Sequence, residues 1–292
     1  MLRSGPRPVR HKRSSGEMPF TVTHNGTADL TYAQTRHREL WTPTRGVRAT
    51  ILEDTWRDHV AAIALVLPAG AAFSHSTAAR LIGLPLPQLS PYPLEVTREG
   101  AKIRRHGVRG FQRHLTGEVE IWHGLPATRP LRTWRDLGGR LDIPHLVAIA
   151  DVLLRRALCT EEDLHDLHGV HHRKLLQQAA NLADAGSWSP RESLLRVAMR
   201  TRGLPAPELN GLIVEDGDVL GRGDFVWREW RVIADYDGGH HGHARQRHQD
   251  AQTRDDYRFG NWDHVPLTSA MDLTQTAHRV ERALRKKGWA PS

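Results

Sequence analysis

Cysteine is almost missing from this sequence: Cys159 stands alone in 292 residues. One thiol excludes an intramolecular disulfide and any zinc site built on several cysteines, and it suits a reducing cytoplasm. Its setting, LLRRALCTEEDL, reads as a helix end, which favours a buried structural thiol over a catalytic one. Lysine is scarce as well. Only Lys12, Lys102, Lys174, Lys286 and Lys287 occur among 41 Lys and Arg residues, so arginine carries nearly all the positive charge. No apolar run approaches the roughly 18 residues that a membrane-crossing helix needs. The longest, HVAAIALVLPAGAA (59–72), is broken by Pro68 and Gly70 and reads as a buried helix and turn. The basic N-terminus has no apolar stretch behind it, so no secretory signal is expected.

What is present looks globular, with 39% hydrophobic and 25% charged residues. The length suggests two domains, at about 150 residues each. A net charge of +8, with 19 histidines not counted, favours an anionic partner, of which nucleic acid is the first candidate. A basic protein with no such partner is the plain alternative.

Residues 1–28 combine Arg, Pro, Ser and Gly without apolar periodicity and are expected to form a disordered basic leader. Residues 29–186 form one expected module. It opens with a helix at TWRDHVAAIALVLP and a second at FSHSTAARLIGLPLP, N-capped by Ser74 or Ser76 and ended by Gly83 and Pro85. PLEVTREG, AKIRRHGVRGFQRHL and EVEIWHGLPAT then suggest a small sheet. Arg104, Arg105 and Arg109 would line a basic ribbon on it, facing either phosphates or solvent. From 130 to 186 apolar residues recur at helical spacing, with Thr160 and the carboxylates after it marking one helix start.

Residues 187–292 form the second expected domain. Ser189 and Pro190 start a helix that Gly203 and Pro205 stop. Three strands follow, near 209–215, 219–227 and 230–236, the first two joined by the turn EDGD. A polar helix at 243–259, a strand at 264–269 and a helix at 272–288 complete the order. The fold class expected is mixed α/β, of the α+β kind: a helical N-terminal domain with a small sheet, then a mixed sheet flanked by helices.

Carboxylates are depleted from strands, yet Asp224, Asp235 and Asp237 fall among apolar strand residues. A turn near 228–230 would bring Asp224 beside Asp235, and Asp235 and Asp237 share a face. Carboxylates so gathered repel unless a cation joins them, and oxygen ligands suit magnesium or manganese. Such an ion activates water at a phosphodiester. Glu192 on the preceding helix could assist, and His241 could handle a proton. Carboxylates satisfied by arginines are the competing reading. Histidines 240, 241, 243 and 248 lack the four-residue spacing of helical zinc pairs. Those at 165, 168, 171 and 172 read as a helix end.

These residues resemble the PD-(D/E)xK nucleases, and within them the branch related to the very-short-patch repair endonuclease. The matching positions are Glu192-Ser193, Leu195-Arg196, Asp224-Phe225, Val232, Asp235-Tyr236-Asp237-Gly238, His241, Asp250, Arg254-Asp255 and Asn261-Trp262. The resemblance covers about 190–292. It implies a restriction-endonuclease-like domain in which Asp224 and Asp235 hold Mg2+ or Mn2+. Glu192 and Asp237 would assist catalysis and Arg254 would contact phosphate. Asp237 stands at the usual lysine position, Asp235 where glutamate is usual, and Asn261 in place of glycine. Residues 36–186 resemble the AbiEi-like abortive-infection antitoxins, through Leu40, Gly46-Val47, Phe73-Ser74-His75-Ser76, Gly83-Leu84-Pro85, Gly124 to Thr128, Arg132-Thr133 and Asp136-Leu137. The function expected is a cytoplasmic metal-dependent DNA endonuclease with a regulatory or DNA-positioning module. A catalytically inactive, antitoxin-like DNA-binding regulator that keeps the nuclease fold is the alternative.

Overall fold

A computed structural model describes residues 19–22, 40–50, 56–237, 257 and 260–291. Among them are eight helices and thirteen strands in three sheets, an α+β fold. The chain divides into two compact units. One comprises 1–78 and 90–128; the other comprises 79–89 and 129–292. The boundary expected at 186/187 therefore falls inside the second unit. The physical reason is a buried ion pair between α4 (Ile143–Arg155) and α7 (Pro190–Thr201), where Arg196 Nη2 lies 2.7 Å from Asp151.

In the first unit, β1 (Phe20–Thr21), β2 (Leu40–Trp41) and β3 (Val47–Thr50) pair antiparallel in the order β1-β3-β2. Residues 20–21, assigned from sequence to the leader, are thus strand residues. After α1 (Trp56–Ala64) the chain turns and enters β4 (Ala71–Phe73), a strand where the helix-and-turn reading of 59–72 ended. Strand β4 belongs to a six-stranded mixed sheet, β6-β7-β5-β4-β9-β8. Its other members are β5 (Leu94–Arg98), β6 (Arg104–Arg105), β7 (Val108–Gln112), β8 (Val119–Trp122) and β9 (Leu125–Thr128). Helix α2 (His75–Ile82) starts where expected, directly after Ser74, whose carbonyl accepts from Ala78 N at 3.1 Å. The carboxylate of Glu95, from β5, accepts from Ser76 N at 3.0 Å and from its hydroxyl at 2.6 Å. A distant carboxylate thus meets the positive helix start.

In the second unit, α3 (Pro130–Leu137), α4, α5 (Glu161–His165) and α6 (Arg173–Leu182) precede α7. Thr160 closes a capping box with Asp163, and Ser189 Oγ accepts from Glu192 N, as local chemistry dictates. Strands β10 (Glu208–Glu215) and β11 (Asp218–Trp227) are joined through Asp216 and Gly217, both at positive φ (51° and 91°). That conformation is the one two-residue hairpins need. Strand β12 (Val232–Asp237) runs antiparallel to β11, and β13 (Asp263–Thr268) lies parallel to β12.

Alternation assigns the two faces of this sheet. Phe225, Trp227, Val232 and Ala234 pack with Leu195 of α7 and Val280 of α8 (Leu273–Lys286). On the other face Ile213, Val226 and Ile233 meet Tyr257 and Trp262. Asp224 and Asp235 alternate onto this second face. Among the described residues no helix is long and apolar enough to cross a membrane.

Candidate functional site

The β11–β12 ladder pairs Trp227 with Val232, Val226 with Ile233 and Phe225 with Ala234. One step further, Asp224 stands opposite Asp235, and the backbone pairing gives way to side chains. Asp235 Oδ1 accepts from Asp224 N at 2.9 Å, while Asp224 Oδ2 accepts from Tyr236 N at 2.7 Å. Each carboxylate thereby takes a main-chain donor of the other's strand, and the strands open around two negative charges. Among the described residues, no arginine pairs with either.

Gly223 keeps this approach possible. A Cβ there would lie 2.5 Å from Ile233 Cγ2 and 3.6 Å from Asp235 Oδ1, so a side chain would push the strands apart at the pair. On the far side of β11, Asn210 lies opposite Asp224, between the register pairs Leu209–Phe225 and Gly211–Gly223. Its amide donates to Gly186 O at 2.7 Å and to Glu192 Oε2 at 3.3 Å.

Glu192 is buried at the first turn of α7, where Oε2 also accepts from Trp188 N at 2.8 Å. It acts first as part of the helix start. Its charge nevertheless reaches Asp224. Burial pushes the Asp224 carboxyl up to about 7, against the hydrogen bond from Tyr236 N, and the charges of Asp235 and Glu192 push in the same direction. The site favours the neutral acid and would favour the anion once a cation arrived.

Besides Asn210, two groups here escaped the reading from sequence. His264 Nε2 lies 2.8 Å from Asp235 Oδ2, since β13 pairs in parallel with His264 opposite Ile233, two residues before Asp235 on the same face. Tyr257 is buried, and among the described residues its hydroxyl has no hydrogen-bond partner. Burial, then the charges of Asp235 and Asp224, hold its phenol well above the usual range. An orphaned buried hydroxyl beside two carboxylates leaves a donor and acceptor for an ordered water or a ligand.

Asp237 is exposed at the end of β12. His241 and Arg254 lie outside the described residues. Among the described residues no three His, Cys, Asp or Glu side chains gather as a ready-made metal centre. The carboxylate pair matches what magnesium uses: one or two carboxylates, with water and substrate phosphate completing the shell.

The basic ribbon of the first unit forms in part. Arg104 and Arg109 face each other across β6 and β7, and Arg109 also lies 3.8 Å from the Glu95 carboxylate. Arg105 turns elsewhere, donating to Thr44 Oγ1 at 3.0 Å and to Arg45 O at 2.7 Å, so it braces the turn before β3. Cys159 is half-buried, and burial, with the nearby Asp163 charge, pushes its thiol up to about 11. It is an inert thiol at neutral pH.

No protein-family model matches the chain. Two curated proteins of Mycobacterium tuberculosis are similar to it over 118 residues at 31% identity: uncharacterized protein MT2308 of strain CDC 1551 / Oshkosh and uncharacterized protein Rv2248 of strain ATCC 25618 / H37Rv. The match covers 39% of this chain and spans 44% of the length of each relative. The crystal structure of the RV2827C protein from M. tuberculosis aligns with 53% of this chain and 64% of its own, at 19% identity and a TM-score of 0.37. A likeness that low does not bear on function.

Proposed function

We propose that the second unit is a metal-dependent DNA endonuclease of the restriction-endonuclease-like kind, working in the cytoplasm, with the first unit positioning or regulating it. One observation carries the reading. Asp224 and Asp235 face each other across β11 and β12, each bound to the other strand's main chain and neither to a guanidinium among the described residues. The net charge of +8 supports a polyanionic substrate.

In this reading Asp224 and Asp235 hold Mg2+ or Mn2+. Such an ion, when bound, supplies an acidified water and offsets charge at phosphorus. Asp224 must lose its proton to act as a ligand, which its raised pKa delays until near neutrality. His264 holds Asp235 in place and can carry a proton at Nε2. Glu192 and Asp237 add negative potential around the pair. His241 enters as proton carrier from its place in the sequence shortly after Asp237, and Arg254 as phosphate contact on the family resemblance. Arg104 and Arg109, like charges directly opposed on adjacent strands, gain from a phosphate between them.

The test is cleavage of supercoiled, linear, mismatched and single-stranded DNA with magnesium and with manganese. The reading expects cleavage that Asp224→Ala abolishes while DNA affinity persists. Intact DNA under every condition would overturn it. The second reading, an inactive antitoxin-like regulator, is favoured by Asp237 at the usual lysine position. It expects salt-sensitive DNA binding indifferent to chelator and to Asp224→Ala.

A further inference from the structure

Helix α8 has two neighbouring stripes. Thr276, Ala277, Val280 and Leu284 are buried against the sheet. Beside them Arg279, Arg282, Ala283 and Lys286 fall at the three- and four-residue spacings that share one face. This stripe, with Asp263 and His264 of β13, lines an open cavity of about 230 Å3.

The charges in this cavity do not cancel. Lys286 Nζ lies 3.0 Å from Asp263 Oδ2, which accounts for the carboxylate of the cavity. Among the described residues Arg279 and Arg282 have no ion pair or hydrogen bond. Like charges three and four residues apart destabilise a helix by a few tenths of a kcal/mol per pair. A basic stripe that a neighbouring anion would relieve has the character of a binding surface.

The position matters as much as the charge. His264 lines the cavity, and its Nε2 is the atom 2.8 Å from Asp235 Oδ2. His264 thus touches the cavity at the edge strand β13, while its imidazole meets Asp235 on the face of the sheet opposite α8. We propose that this cavity receives a backbone phosphate of the DNA, on a path that passes round the β13 edge of the sheet from the phosphate presented to Asp224 and Asp235. Arg279 and Arg282 grip that phosphate, and Lys286 is released from Asp263 to join them. The inference rests on the endonuclease reading for its geometry. Its chemistry, arginines on a phosphodiester, stands apart from cleavage.

The experiment measures binding of a short fluorescein-labelled duplex by anisotropy, in chelator so that no cleavage occurs, across a range of salt. The wild type, R279Q/R282Q and R200Q/R285Q are compared. Arg200 and Arg285 lie outside the cavity, so the second variant changes net charge equally, and thermal melting checks that both fold. R279Q/R282Q should lower affinity by tenfold or more and reduce the slope of log K against log salt by about 1, as loss of one neutralised phosphate does. R200Q/R285Q should change the slope much less. Equal losses in the two variants, or no loss in either, would overturn the proposal, as would a wild type that does not bind duplex at all. Inorganic phosphate raising the wild-type Tm but not that of R279Q/R282Q, with DNA affinity equal in both, assigns the cavity to a free anion and also overturns it. If the arginine-dependent slope holds but no cleavage occurs with metal, the endonuclease reading fails and the phosphate site remains. Cleavage with an unchanged slope leaves the reverse.

Discussion

Replacing Asp224 by asparagine should stabilise the protein at alkaline pH in the absence of divalent ions. The substitution keeps an oxygen to accept from Tyr236 N, as Asp224 Oδ2 does at 2.7 Å, and removes one of two facing charges. The sign follows from the raised pKa. Asp224 titrates at about 7 in the fold against 3.8 for the free side chain, so the folded state binds its proton more tightly. That contribution is fully present below about pH 4 and is lost as pH rises through about 7. Asparagine does not titrate. A shift of about 3 units corresponds to roughly 4 kcal/mol at full strength, and solvent screening at a site part-open to water reduces this to about 2 kcal/mol. Urea denaturation in chelator at pH 5 and pH 8 reads the difference. The gap between D224N and wild type should widen in favour of D224N by about 1 kcal/mol between the two pH values, the rest of the change falling below pH 5. A wild type as stable as D224N at pH 8, or a gap that does not move with pH, would refute the reasoning.

Two further outcomes follow from buried and half-buried groups. R196M should destabilise the protein by about 3–5 kcal/mol, because it strands the Asp151 carboxylate, which is wholly buried and 2.7 Å from Arg196 Nη2. Thermal melting measures the loss, and a D151L/R196M pair should recover much of it. Cys159, with its thiol pushed up to about 11, should react with a disulfide reagent at pH 7.5 far more slowly than in the urea-unfolded chain. Equal rates in the two states would contradict the burial argument.

Features set by neighbouring residues were legible in the sequence. Ser189 and Pro190 start α7, Thr160 caps α5, and the Asp216–Gly217 turn fixes β10 against β11, because each acts over a few residues. The facing of Asp224 and Asp235 was legible for the same reason: a short hairpin leaves little choice of register. What was hidden depends on distant partners. His264 meets Asp235 only through a parallel pairing that no local pattern signals. Glu95 caps α2 from a strand nineteen positions along. Arg196 looks like a surface arginine on a polar helix until Asp151 of α4 is laid beside it. A carboxylate or guanidinium recruited over such distances has no spacing rule, which is why Asn210 and Tyr257 also escaped notice.

The central claim is that carboxylates from two paired strands share one divalent ion. Manganese binding followed by electron paramagnetic resonance tests it most directly, on wild type, D224A and D235A at pH 6 and pH 8. The account predicts saturable binding of one ion per chain, tighter at pH 8 because Asp224 must first lose its proton, and lost in either variant. Binding that survives both substitutions, or none in the wild type at pH 8, would contradict it.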